Sequence, residues 1–330
     1  MFLFRIIKVI VFIFRFQKTQ NKFTKFSIDK FLLPFEQQYQ SKINVDTLRR
    51  IREYYSKAVP LTCAAYASIY GRNLTPQERE NASLAGIITP LIDDFTDKYR
   101  LTIQQVEHLV AFSGGHPAHV EEAIVKSILN HLIKNVTSPE GTLKEFNRTL
   151  AAQHESEKQL SSDLPENEIL RITFEKGGAS LLLFHYLIEE IPGRQMIDVI
   201  NQMGGTLQLG NDIFDVYADL HEGVKTIPTS CQDLTRLENL YLAECIKFYQ
   251  MATCLNHKKK DLELFITFFT MLLARGMVAL TQLSRLQRKL GGGPLSKHRV
   301  ERKLLISDME KPANLLRAIF YTWRIMKLPG

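Results

Sequence analysis

No stretch of this chain alternates apolar and polar residues between turn signals, as a half-buried strand would. That confines it to packed helices. In place of alternation the sequence carries apolar runs at helical spacing, punctuated by prolines and N-cap residues. Thr75-Pro76-Gln77-Glu78 offers a cap residue, a proline suited to the first helical position and a glutamate three residues after the cap, so a helix is expected from there towards Asp94. Pro139 opens another, to about Leu160. Pro165 precedes ENEILRITFEKGGASLLLFHYLIEE, and the segment from Arg194 runs through MIDVINQMGGTLQLGNDIFDVYADL. Further helices are expected at 233–255, 261–290 and 308–327. The apolar run Leu262–Leu273 reads as a buried helix, too short and too closely flanked by charge to span a bilayer. There is no Gly/Ser-rich linker and no internal repeat. The reading is therefore an all-α chain: one domain of roughly ten helices over residues 31–330, preceded by a basic, apolar extension at residues 1–30.

The net charge of +7 invites a nucleic-acid partner, but residues 1–30 hold seven basic side chains against the single acid Asp29, and so carry +6 of it. The remaining chain is nearly neutral and shows no nucleic-acid-binding signature, which excludes that partner. Within the extension the longest uncharged run is Val9–Phe14, far below the ~20 residues of a membrane span. No cleavage site follows it either. Two expectations remain: a helix at the membrane interface or an ill-ordered extension on one side, and a helix docked on the rest of the protein on the other. Cys63, Cys231, Cys245 and Cys254 lack CxxC spacing, which fits reduced thiols in a cytoplasmic protein.

Two acidic clusters carry the chemistry. In DDFTD, Asp93, Asp94 and Asp97 fall near one helical face at the end of an apolar segment, where three carboxylates repel one another unless a cation neutralises them. Mg²⁺ suits such oxygens and commonly bridges to substrate phosphates. In LQLGNDIFDVYADL, Asn211, Asp215 and Asp219 stand at i, i+4 and i+8, stacking three oxygen ligands along one stripe with Asp212 beside it. Gly204, Gly205 and Gly210 weaken that helix by about 1 kcal/mol each and point to the close approach of a ligand or of a neighbouring helix. Gly223 and Pro228 end the segment, with Lys225 just beyond it.

The second cluster resembles the second aspartate-rich motif of trans-polyprenyl diphosphate synthases, with Asn211 in place of its first aspartate. It aligns without a gap to the phytoene and squalene synthase motif LQLxNxxxDxxxDxxxGxxxxxP, at Leu207, Gln208, Leu209, Asn211, Asp215, Asp219, Gly223 and Pro228. It is also similar to the metal triad of terpene cyclases. FEKGGASLLL resembles the KT(A/G)xL element of polyprenyl synthases, and KAVPLTCAAYASIYG the start of their GKxxRPxL helix. The resemblance runs over roughly residues 50–230.

This resemblance to the class I isoprenoid synthase superfamily implies a helical bundle around a central cavity, binding a prenyl diphosphate. It also implies an enzyme using three Mg²⁺ ions: Asp93 and Asp97 holding two with Asp94 in support, and Asn211, Asp215 and Asp219 holding the third. Lys176, Lys225 and Gln208 would contact the substrate. Phe174, Leu181, Phe184, Leu207 and Tyr217 are candidate walls for a carbocation, against an ordinary core role. A terpene synthase or cyclase is the expected activity, with a head-to-head squalene/phytoene-type synthase, a chain-extending polyprenyl synthase and a catalytically silent partner subunit as alternatives. Membrane contact through residues 1–30 would place a cytoplasmic protein at the inner membrane surface, and the resemblance leaves room for a homodimer.

Overall fold

The computed structural model describes residues 2–99, 101, 104–106, 117–161, 163–295 and 301–328; the side chains of residues 25–27 and 96–97 lie outside that set. Among the described residues there are fourteen α-helices and no strand, as an all-α chain requires. The helices exceed the expected ten because several are short pieces around the acidic segments, too brief to show in an apolar pattern. The chain forms two compact units rather than one: residues 7–154 with 183–192, and residues 1–6, 155–182 and 193–330.

Helix α1 (Phe2–Tyr39) runs unbroken through residue 30, so no boundary separates the basic extension from the residues after it. Val9, Phe16, Gln20, Ile28 and Leu32 form a buried stripe along it, and the amide of Gln20 donates to Ser56 O (3.0 Å) and Ser83 Oγ (2.9 Å). The docked-helix expectation holds and the ill-ordered one does not.

The rest of the first unit is built on α2 (Val45–Arg50), a π-helical turn (Ile51–Tyr55), α3 (Ser56–Ile69), α4 (Pro76–Asp97), α5 (Val120–Asn135) and α6 (Pro139–Ser156, up to residue 154). The expected start of α4 forms as a capping box: Glu78 N–H donates to Thr75 Oγ1 (3.2 Å), and Thr75 N–H donates to Glu78 Oε2 (2.7 Å). Arg72 grips the same buried carboxylate with two bonds of 2.7 Å, so one residue caps the helix and anchors the preceding turn. The π turn packs on α4 at Gly86, where an added Cβ would lie 2.5 Å from Tyr55 O.

The second unit contains α7 (Glu166–His185, up to residue 182), α8 (Arg194–Phe214), α9 (Val216–Glu222), α10 (Ile227–Ser230), α11 (Leu234–Thr253), α12 (Lys259–Lys289), α13 (Arg302–Leu305) and α14 (Pro312–Lys327). Helix α12 packs on α8, α11 and α14. It spans nearly the expected 261–290; by length and composition it is apolar enough to cross a membrane, but most of that stretch is buried, as a core helix would be. Tyr241 of α11 pins three helices: its hydroxyl donates to Leu273 O on α12 (3.0 Å), and Gly210 of α8 and Gly276 of α12 leave room for it.

Candidate functional site

The glycines of the second acidic segment serve helix packing. A Cβ on Gly204 would lie 2.3 Å from Gly177 O, one on Gly177 2.1 Å from Gly204 O, and one on Gly205 2.2 Å from the Phe174 ring. Helices α7 and α8 therefore meet backbone to backbone. Since residues 173, 177 and 178 face 212, 204 and 201 in turn, the two run antiparallel. Of the two expected causes, a neighbouring helix is the one observed.

This contact sets the second acidic cluster. Asp212 is buried; Thr173 Oγ1 on α7 donates to its Oδ2 (3.0 Å) and Gln208 Nε2 to its Oδ1 (3.0 Å). Burial pushes its carboxyl up to about 6 although both hydrogen bonds and the Lys176 charge pull the other way. Helix α8 ends at Phe214, and Asp215 sits between it and α9 with φ −91° and ψ 5°, in the bridge region. The expected register survives this break, because Asp215 N–H still donates to Asn211 O and Asp219 N–H to Asp215 O, each at 2.9 Å. Asp219 is pushed up to about 8, first by burial and then by the charges of Asp212 and Asp215, against a 3.2 Å hydrogen bond from Thr226 Oγ1. Asp215 is also raised, by burial and by Glu222, with Lys176 opposing; its exposure to water tempers the effect of burial.

Three features of this cluster go beyond the sequence pattern. Asp212, beside the stripe, is buried and held by two hydrogen bonds, while Asn211 is exposed. Gln208 gives its amide to Asp212. The face of Tyr217 is covered, with Arg302 5.3 Å over its ring and His221 stacked at 4.2 Å, which suits it poorly to line a cavity. Lys176 lies close enough to act on Asp212 and Asp215. The backbone of Lys225 is held by Gln159, through Lys225 N–H to Gln159 O (2.7 Å) and Gln159 Nε2 to Lys225 O (3.1 Å). Thr173 and Thr226 were missed because neither carries charge and Thr173 acts across 39 positions.

The first cluster, in the other unit, is organised differently. Asp94 is buried because the protein neutralises it: Arg50 and Thr47 bond its two oxygens and Lys98 Nζ lies 3.1 Å away. An external cation is not needed to explain that carboxylate. Asp93 is half-buried and accepts from Tyr55 Oη at 3.4 Å; burial, then the Asp93 charge, push the phenol well above its ordinary value. The side chain of Asp97 lies outside the described residues.

Among the described residues no group of three or more His, Cys, Asp or Glu side chains is placed to hold a metal ion. The chemistry of the second cluster is that of oxygen donors: the raised carboxyls of Asp215 and Asp219 would gain from a divalent charge, and an ion such as Mg²⁺ needs few protein ligands because it keeps water and phosphate oxygens. No protein-family model matches the chain, and neither a curated protein nor a solved structure matches it.

Proposed function

We propose that this protein is a Mg²⁺-dependent class I isoprenoid synthase that ionises a prenyl diphosphate, acting as a terpene synthase or cyclase. The observation carrying this reading is the under-neutralised carboxylate group Asp212, Asp215 and Asp219 beside Lys176, on a helix pair locked by glycine contact. A site that raises its own carboxylates in this way stores an electrostatic demand that a metal–diphosphate complex satisfies. In this proposal Asp215 and Asp219 hold the ion, with Asn211 exposed at the same register. Asp212, fixed by Thr173 and Gln208, orients the helix and adds negative field. Lys176 and Lys225 take phosphate oxygens. Bound Mg²⁺ would stabilise the charge developing on the departing diphosphate.

A head-to-head squalene/phytoene-type activity is the second reading, favoured by one feature. Gly223 closes α9 with φ 76° and Pro228 stands in the first turn of α10, so both motif positions have a backbone role at that family's spacing. We also propose membrane contact at residues 1–30, where Leu3, Phe4, Ile7 and Phe14 are exposed among basic residues.

The deciding experiment measures diphosphate release from geranyl, farnesyl and geranylgeranyl diphosphates with and without Mg²⁺, for the wild type and for Asp93→Ala and Asp215→Ala. Metal-dependent release lost in both variants is expected. Release unchanged in either would show that its cluster does not serve the reaction, and no release from any substrate with a folded chain would overturn the activity.

A further inference from the structure

Helix α14 is turned inside out. Its face against the protein holds Asn314, Ala318, Thr322 and Ile325, while Leu316 (68% exposed), Phe320 (53%) and Trp323 (40%) face outward. At about 100° per residue the outward stripe 316, 320, 323, 327 points half a turn away from the buried one. Polar contacts hold the inner face: Gln282 Nε2 donates to Asn314 Oδ1 (3.0 Å), Asn314 Nδ2 donates to Asp308 O (2.7 Å), and the Tyr321 and Thr281 hydroxyls pair at 2.8 Å. A helix docked by polar groups that shows Leu, Phe and Trp to solvent exposes surface that a soluble globule normally covers.

The charge on α14 identifies what covers it. Between residues 311 and 328 there are four cations and no acid. Arg317 and Arg324 flank the apolar stripe, and Lys327 lies 5.9 Å over the Trp323 ring. A second copy of the same face would set the three positive charges of Arg317, Arg324 and Lys327 against three, whereas an anionic bilayer complements both the charge and the apolar stripe. Aromatic side chains beside cations suit the headgroup layer. At 16 residues the helix is about 24 Å long, enough to lie in the interface and too short to span it. We infer that α14 is a membrane-interface helix that seats this unit on anionic phospholipid with Leu316, Phe320 and Trp323 inserted. This inference is independent of the catalytic reading and of residues 1–30.

Trp323 is the chain's only tryptophan, so its emission reports this helix alone. The full chain is titrated with vesicles of phosphatidylcholine, with and without phosphatidylglycerol, and with brominated lipid. A blue shift and bromine quenching on anionic vesicles only, weakened by salt, is the expected result. Arg324→Gln/Lys327→Gln should weaken vesicle binding on the order of 25-fold at the usual contribution of a basic residue near anionic lipid. Leu316→Ser/Phe320→Ser should abolish the shift. All four positions are exposed, and unchanged melting curves would confirm that the variants fold. Trp323 emission unmoved while the protein sediments with vesicles would assign binding to another surface and overturn the inference. So would a shift that depends on protein concentration without lipid, which would mean self-association, or an absence of binding to any vesicle.

Discussion

Asp219 should cost the metal-free protein stability as pH rises, and Asp219→Asn should restore it. Burial and the neighbouring carboxylates lift this group from 3.8 to about 8, so the native state binds its proton more tightly than the unfolded chain does. The stabilisation is then fully present below 3.8, declines as pH climbs, and is gone above about 8. Taken whole, that displacement corresponds to about 6 kcal/mol at roughly 1.4 kcal/mol per tenfold. Asp219 is only partly buried, and water screening its carboxylate brings the expected effect nearer ~2 kcal/mol. Asparagine keeps the acceptor for Thr226 Oγ1 and never ionises, so the variant isolates the charge. Melting temperatures of wild type and variant should nearly coincide at pH 4. By pH 8 the variant should lead by about 3 °C, a difference scaled to a chain of this size. Added Mg²⁺ at pH 8 should raise the wild type and leave the variant unmoved. A gap that stays constant with pH, or that favours the wild type as pH rises, would refute the electrostatic account of this cluster.

Gly204→Ala should destabilise the second unit by about 3 kcal/mol or more, since its Cβ would meet backbone atoms of Gly177 and Gly178 that cannot swing aside; urea unfolding reads this directly. Asp94→Asn should lower stability by roughly 2 kcal/mol by breaking its contacts with Arg50 and Lys98, and added Mg²⁺ should not reverse the loss, as it would if Asp94 were a metal ligand. With farnesyl diphosphate and labelled isopentenyl diphosphate, no label should enter a longer prenyl diphosphate. Under the proposed resemblance, the residues aligning with the second diphosphate site of chain-extending enzymes are only Lys57 and Pro60, and Lys98-Tyr99-Arg100 stands where an Arg-Arg pair would follow the first motif; labelled longer products would refute this.

Local signals were the legible part of the fold. The Thr75–Glu78 box, the proline at 139 and the start at Arg194 are written in adjacent residues, and helices begin there. The Asn211–Asp215–Asp219 register was legible for the same reason, since it comes from helical geometry alone. Partnerships across helices were not. That Asp212 would be held by Thr173, or that Asp94 would be neutralised by Arg50, depends on contacts 39 and 44 positions apart that no local pattern encodes. Helix α14 was legible as a helix near 308–327, but not which of its faces turns inward. The inward face depends on partners in α12: Gln282 donates to Asn314, and the Thr281 and Tyr321 hydroxyls pair.

The two acidic clusters looked alike in sequence because both are carboxylates at helical spacing, yet they differ in what balances them. Asp94 has a guanidinium, an ammonium and a hydroxyl within its own unit, so its negative charge is answered before any ligand arrives. Around Asp212, Asp215 and Asp219 the described cation acting on the group is Lys176, against three carboxyls and Glu222. A balanced carboxylate stabilises its fold at neutral pH and gains little from a metal; an unbalanced group weakens the fold at neutral pH and gains most. If a cation binds this protein through carboxylates, the second cluster is where its binding free energy should be largest. Metal-induced stabilisation should therefore depend on Asp215 and Asp219 and persist when Asp94 is replaced.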